Sequence, residues 1–275
     1  MRPVSESTVL ITGATDGLGK SVATELARAG ARVLVHGRDD GRGAQTLRDI
    51  EAETGSRSLS WYRADLGSLG ETRSLAERIL SEHDRLDVLV NNAGIGFTDP
   101  GDGRRVESAD GHELRFAVNY LAPFLLSRLL RPLLVSSAPS RIVNVASIGQ
   151  APVDFDDPML ESRYDGVRAY CQSKLALVML TFDLADDLQG TAVTANCLHP
   201  GTYMPTKMVT GAGIEPVDSL ESGVEATMKL ISDPELDGVS GRYFDRLAES
   251  RANAQAYDAA ARKRLRELSE QLVGL

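Results

Sequence analysis

The sequence predicts an α/β fold, a mostly parallel sheet of seven strands doubly wound by helices on both faces, and three observations predict it. Short β-branched runs alternate along the chain with longer stretches of helical period. Apolar runs such as Val88-Leu89-Val90 and Ile142-Val143 lack polar alternation, as strands covered on both faces do. The first such run leads into a turn with three glycines and then into a helical pattern, the βα unit that opens a doubly wound sheet.

In order along the chain, strands are expected at residues 8–12, 32–36, 58–63, 88–91, 141–145, 192–198 and 241–244. Helices are expected at 17–29, 43–54, 68–82, 112–134, 167–188, 219–232 and 248–272, several with Gly or Pro just past their ends. Two stretches break the rhythm: 97–110, rich in Gly and Asp, and 149–165, with Pro152, Pro158 and several acids. Both follow strands on the side where such sheets bind ligands, so both are expected to wall a site and not to link domains. No internal repeat, low-complexity tract or linker is found, and residues 1–275 are expected to form a single domain.

With 275 residues, 42% of them hydrophobic, the chain can bury a sizeable core. Lys and Arg number 30 against 39 Asp and Glu, and a net charge of −9 offers no general field for nucleic acid or an anionic membrane. The most apolar stretch, 120–135, is cut by Arg128 and Arg131 and is shorter than the roughly 20 residues a bilayer needs, so no stable membrane insertion is expected. Residues 1–12 lack the apolar segment and cleavage site of a secretory signal, which makes the start of the chain the expected start of the fold. Cys171 and Cys197 are too few for a disulfide scaffold; they fit a cytoplasmic setting and read as small buried residues. The four His occur singly, without H-E-x-x-H, so no metal site is expected. Serine hydrolase chemistry fits poorly, because Val145-Ala146-Ser147-Ile148-Gly149 lacks the first glycine of G-x-S-x-G.

At the end of the first strand stands Thr12-Gly13-Ala14-Thr15-Asp16-Gly17-Leu18-Gly19. Its glycines permit a tight turn and close backbone approach, and the helix that follows offers unpaired N–H groups to a pyrophosphate. Gly13, Thr15, Asp16, Gly17, Leu18 and Gly19 are therefore the expected dinucleotide contacts, in a G-x-x-x-G-x-G spacing that is weak evidence without its flanking strand and helix. The second strand ends at His36-Gly37-Arg38-Asp39, where a dinucleotide fold inspects the adenosine ribose. An acid there would select NAD; here Gly37 takes that place and Arg38 can hold a 2′-phosphate, so NADP is the expected cofactor. The plainer alternative is a solvated Arg38 beside a helix-capping Asp39. Asp65, followed by Leu66, ends the third strand and can accept a bond from the adenine amino group or cap the next helix. Asn91-Asn92-Ala93-Gly94 ends the fourth, where Gly94 lets backbone approach a ligand.

Tyr170 and Lys174 lie four residues apart on one helical face. A nearby ammonium favours a phenolate, which would make Tyr170 a proton donor and acceptor near neutral pH. Ser147 follows the fifth strand at the same sheet edge, where its hydroxyl can bond a substrate carbonyl, and Pro200-Gly201 opens a loop after the sixth.

Taken together, the glycine turn, Asp65, Asn91 to Gly94, Asn119, Ser147, Tyr170 with Lys174, and Pro200-Gly201 resemble the short-chain dehydrogenase/reductase family over residues 8 to about 245. Phe155-Asp156-Asp157, Ala169-Tyr170-Cys171-Gln172-Ser173-Lys174, Leu198-His199-Pro200-Gly201 and Gly241-Arg242-Tyr243-Phe244 resemble its retinol-dehydrogenase-like branch. The resemblance implies a Rossmann-type fold and reversible hydride transfer between NADP(H) and a carbonyl or alcohol. It implies Tyr170 as acid/base, Ser147 polarising the carbonyl, and Lys174 binding the nicotinamide ribose. Asn119 would hold a relay water, though a satisfied buried amide is its structural alternative. Further cofactor contacts are implied at Asp65, Leu66, Asn92, Ala93, Gly94, Pro200, Gly201 and Thr202. The family often has Thr four residues after that Gly; here the position is Pro205, with Thr202 and Thr206 nearby.

Leu125, Leu129, Leu177, Leu180 and Leu184 are more apolar positions than one sheet face requires, and core packing is the plainer reading of each; the family often dimerises through these two long helices, so a homodimer is expected. The last helix, with Leu265, Leu268 and Leu272, is expected over the substrate side or a subunit edge. Loops 97–110, 149–165 and 203–213 are expected to select the substrate, with Phe97, Phe155, Met204 and Met208 as an apolar lining for a hydrophobic aldehyde or ketone. A reading of a different class keeps the fold without the chemistry, as a non-catalytic NADP-binding sensor or scaffold.

Overall fold

The computed structural model describes residues 2–98 and 104–275; Met1 and the middle of the loop expected at 97–110 lie outside the described residues. Strands β1 (Thr8–Ile11), β2 (Arg32–Gly37), β3 (Leu59–Arg63), β4 (Val88–Asn91), β5 (Ser140–Val145), β6 (Val193–His199), β7 (Tyr243–Asp245) and β8 (Ala248–Ser250) form one sheet in the order β3-β2-β1-β4-β5-β6-β7-β8. Neighbours run parallel except β7 and β8, which are antiparallel. The order reverses between β1 and β4, and a crevice opens there at the carboxyl ends of the strands.

The helices are α1 (Gly17–Arg28), α2 (Asp40–Thr54), α3 (Leu69–Glu82), α4 (Leu114–Phe116), α5 (Ala122–Leu129), α6 (Arg131–Ser136), α7 (Gly166–Asp187), α8 (Lys207–Thr210), α9 (Leu220–Ser232) and α10 (Ala259–Val273). Side chains cap most of the longer ones. Asp16, Asp39, Ser68, Asp165, Ser219 and Asp258 each accept a backbone N–H of the first turn of α1, α2, α3, α7, α9 and α10. Gly55 ends α2 in the left-handed conformation, φ 72°.

Alternation along the strands divides the core between the two faces. Leu10, Leu34, Leu89 and Ile142 point to the layer of α3, α5 and α7. Val9, Ile11, Val33, Val35, Val88, Val90, Val143 and Val145 point to the layer of α1 and α9. All are buried, which is why these strands read as continuous apolar runs.

Three expectations are corrected. The sheet has eight strands, because Ala248–Ser250 pairs with β7. This segment was expected to begin the last helix, which instead starts after Asp258. The helix expected at 112–134 is four pieces: α4, a π-helical turn over Ala117–Leu121, α5 and α6. A π turn widens the helix without disturbing the apolar pattern, and Pro132 in the first turn of α6 forces the break after Leu129.

Candidate functional site

Thr12 joins the ends of β1 and β4. Its hydroxyl oxygen accepts the N–H groups of Asn92 and Ala93, both at 3.0 Å. Asn92 reciprocates, its Nδ2 donating to the carbonyls of Thr12 at 2.8 Å and Gly13 at 3.2 Å. The approach is so close that a Cβ on Gly13, where φ is +66°, would meet the Ala93 Cα at 2.8 Å, and one on Gly19 would meet the Gly13 oxygen at 2.3 Å. Glycine at both positions is thus a steric requirement. Thr15, Asp16 and Gly17 of the turn are half-buried, and Leu18 is buried beneath them. A cradle of bare backbone at a helix N-terminus fits a dinucleotide pyrophosphate.

His36, which the sequence reading passed over, fixes this cradle from below. Gly13 N–H donates to its Nδ1 at 3.2 Å, so Nε2 carries the proton and donates to the Ala64 carbonyl at 3.1 Å. Burial pushes its pKa down to about 4, which keeps the ring neutral.

At the adenosine end, Arg38 is exposed, and a Cβ on Gly37 would stand 2.8 Å from both Thr15 and Trp61. Asp39 caps α2, as the plainer alternative foresaw. Asp65 turns one carboxylate oxygen to the Gly67 N–H at 2.9 Å; Ser68 caps α3. Leu66 is buried beside it.

From the glycine turn the site continues through Gly94 to the chemical end. A Cβ on Gly94 would lie 3.4 Å from Asn119 Oδ1 and 3.5 Å from Lys174 Nζ. Asn119 sits in the π turn; its Oδ1 accepts the Ile95 N–H at 2.7 Å and its Nδ2 donates to Ser173 Oγ at 2.9 Å. Ser173 in turn donates to the Tyr170 carbonyl at 2.8 Å. Both ends of the amide are engaged, as its structural alternative requires, with one lone pair of Oδ1 left over, and the residue also ties the Gly94 loop to α7.

Tyr170 and Lys174 share a face of α7, with Nζ 5.9 Å from the phenol ring centre. The ammonium donates to the Val145 carbonyl at 2.8 Å, and burial pushes its pKa down to about 8. The expected lowering of the Tyr170 pKa does not arise in this arrangement. Desolvation raises it, and a hydrogen bond with Ser147 pulls it back only in part. Ser147 is buried; its carbonyl is held by Gln150 Nε2 at 2.8 Å and Tyr243 OH at 3.2 Å.

Over the crevice lies the segment after Pro200-Gly201. Thr202 is tied down: its N–H donates to Asp218 at 2.6 Å, and its hydroxyl meets His199 Nε2 at 3.1 Å and accepts from Arg246 at 3.2 Å. Thr206 instead stands over the glycine turn, where a Cβ on Gly17 would come within 3.0 Å of its methyl group. Lys207 reaches Asp16 at 2.7 Å, and Arg42 reaches the same oxygen at 3.0 Å. Desolvation tends to raise the Asp16 pKa, but the Lys207 bond, the Gly17 N–H and both cations prevail and hold it low.

Of the four apolar residues expected to line a substrate pocket, two are in place. Phe97 meets the Tyr170 ring edge-on at 5.9 Å, and Met208 covers Gly96. Fully buried Arg115 pins this stretch, bonding the carbonyls of Gly96 and Phe97 and the hydroxyl of Tyr164. Met204 belongs to the core, wedged between Gly201 and Gly223, and Phe155 packs under Arg264. Ile148, next to Ser147 in the chain, and Tyr203, in the segment after Gly201, are exposed.

The chain belongs to the short-chain dehydrogenase family, whose model, described as short chain dehydrogenase, matches residues 7–215, and within it to the retinol-dehydrogenase-like branch. It is 38% identical to mouse (Mus musculus) retinol dehydrogenase 13 over 98% of this chain and 84% of that one. It is 39% identical to human (Homo sapiens) retinol dehydrogenase 14 over 98% and 86%. Among solved structures it resembles an uncharacterised protein of Mycobacterium paratuberculosis, with 30% identity, a TM-score of 0.79, and coverage of 98% and 94%. It also resembles a short chain dehydrogenase of Escherichia coli CFT073 complexed with NADPH, with 29% identity, a TM-score of 0.71, and coverage of 88% and 96%. Family membership makes the chain an oxidoreductase. No described helix is long and apolar enough to cross a membrane.

Proposed function

We propose that this chain, as a single NADP-binding domain, moves a hydride between NADP(H) and an apolar aldehyde or ketone and the corresponding alcohol. The Tyr170–Lys174 pair carries the proposal, lying on one face of α7 beside Ser147 with the glycine cradle next to it. NADPH supplies the hydride when bound. The glycine turn from Gly13 to Gly19 would hold the pyrophosphate, Arg38 the 2′-phosphate, and Asp65 with Leu66 the adenine. Asn92, Ala93, Gly94, Pro200 and Gly201 would line the nicotinamide half. Thr206 is the threonine free to reach this cofactor, since the Thr202 hydroxyl is already engaged.

In reduction Tyr170 gives its phenolic proton to the substrate oxygen as negative charge develops there, and Ser147 donates a second hydrogen bond to that oxygen. Lys174, cationic at neutral pH with a pKa of about 8, holds the nicotinamide ribose and restores the Tyr170 proton. Asn119, beside Lys174 at Gly94, would offer the second lone pair of its Oδ1 to the water that refills the relay. Phe97, Met208, Ile148 and Tyr203 favour an apolar substrate, in keeping with relatives named for retinol.

The test is optical: NADPH consumption against a graded series of aldehydes and ketones, with NADH in parallel. Turnover should rise with chain length of the carbonyl compound and be much greater with NADPH. Tight NADPH binding without oxidation by any member of the series would leave a sensor or scaffold in its place.

A further inference from the structure

Helices that lie on one face of a sheet ordinarily leave their outer half to solvent. Here they do not. Every residue from Arg115 to Ser127 and every residue from Gln172 to Leu184 is buried, so α5 as far as Ser127 and the middle of α7 are covered within one chain, while Arg128 and Leu129 at the end of α5 are half-buried. These are the two helices through which a homodimer was expected.

The C-terminal helix α10 provides much of the outer cover, crossing α7, the π turn and α3 in that order. Over the end of α7, Arg262 pairs with Asp186 at 2.8 Å and Arg266 with Asp183 at 3.2 Å. Over the π turn, the Ser269 and Tyr120 hydroxyls meet at 2.6 Å, both shut off from solvent. At the far end Arg73 of α3 bonds the Val273 carbonyl. Leu265 and Val273 of α10 enter the same apolar cluster as Leu125, Leu177 and Leu180. Above α10, Tyr257 packs its ring on Phe182 at 5.3 Å, and Gln172 donates to the Pro158 carbonyl at 2.9 Å, which closes the upper half of α7.

We propose that α10 fills, within a single chain, the place a second copy would take against α5 and α7, so that this face is closed to self-association. The apolar residues read as an intersubunit seam are an intramolecular one. A second chain could engage them only by first unseating α10, which means breaking its ion pairs with α7 and leaving the buried Tyr120 hydroxyl without its partner.

Amide hydrogen exchange on the full-length protein tests this at two concentrations, about 1 µM and about 100 µM. Protection across α5 and α7 should be the same at both, whatever other contacts the protein makes. Protection of those two helices that grows at least threefold with concentration would overturn the proposal. A Ser269→Arg variant supplies a second arm: the guanidinium cannot fit against Tyr120, so α10 lifts. Protection in α5 and α7 at the lower concentration should then drop about tenfold or more. Unchanged protection in this variant would show that α10 is not the cover. Should the variant fail to fold, the intact protein decides the question alone.

Discussion

The Gly13 amide donates to Nδ1 of His36, and this bond joins the nucleotide cradle to a titratable ring in the core. The His36 pKa, pushed down to about 4 by burial, lies below the ordinary unfolded value of about 6.5. The unfolded chain therefore takes up a proton below pH 6.5 that the folded chain refuses until about pH 4. Stability is complete above that window and falls as pH drops through it, by roughly 3 kcal/mol from this ring. Urea unfolding at pH 7 and pH 4.5 should show the loss, and a His36→Gln variant should show a smaller one. Identical pH slopes for the two proteins would count against the assignment.

Tyr170→Phe removes one oxygen and keeps the ring against Phe97. Turnover should fall by about two to four orders of magnitude, while NADPH binding, followed by cofactor fluorescence, stays within a few-fold. Turnover near the unmodified level would place the proton donor elsewhere.

Arg38 is exposed at the rim next to Gly37. In Arg38→Ala the dissociation constant for NADPH should rise by about 10- to 150-fold, the worth of a charge-assisted bond to phosphate, and that for NADH by less than about twofold. Equal weakening of both would remove the 2′-phosphate from the account.

Lys207 and Asp16 form an ion pair across the mouth of the cradle, with Thr206 and Met208 on the same segment. The Lys207 side chain is 78% exposed, so the pair is worth less than about 1 kcal/mol and is sensitive to salt. Lys207→Met should change the KM for NADPH by up to about fivefold at low ionic strength, with the difference shrinking in high salt. An effect indifferent to salt would mean the pair does not set the position of this segment.

The order of strands and helices was legible because both sheet faces are covered, and so were Gly13, Gly19, Ser147, Tyr170 and Lys174, each in a short motif. His36 and Lys207 were not, because each acts on a residue far along the chain: His36 on Gly13 through the pairing of β1 with β2, and Lys207, after β6, on Asp16, after β1. The π turn around Asn119 escaped notice because one wider turn leaves an apolar pattern intact. Strand β8 has the sequence Ala-Glu-Ser, exposed throughout, with no β-branched residue to mark it. Met204 and Phe155 show the limit of composition: of these apolar residues in loops expected to form the site, Met204 is core and Phe155 packs half-buried against the core.

Trp61 is the sole tryptophan of the chain, and its indole lies against Gly37 and Gly43, so near that a Cβ on Gly43 would meet the ring at 2.3 Å. Its Nε1 donates to Asp40 at 2.7 Å, which fixes the ring beneath the adenosine end of the crevice. The molecule thus carries one indole fluorophore, which can be excited apart from its tyrosines, mounted at the edge of the nucleotide crevice. Its emission overlaps the absorption band of a reduced nicotinamide, which makes quenching by energy transfer a label-free titration signal in the unmodified protein.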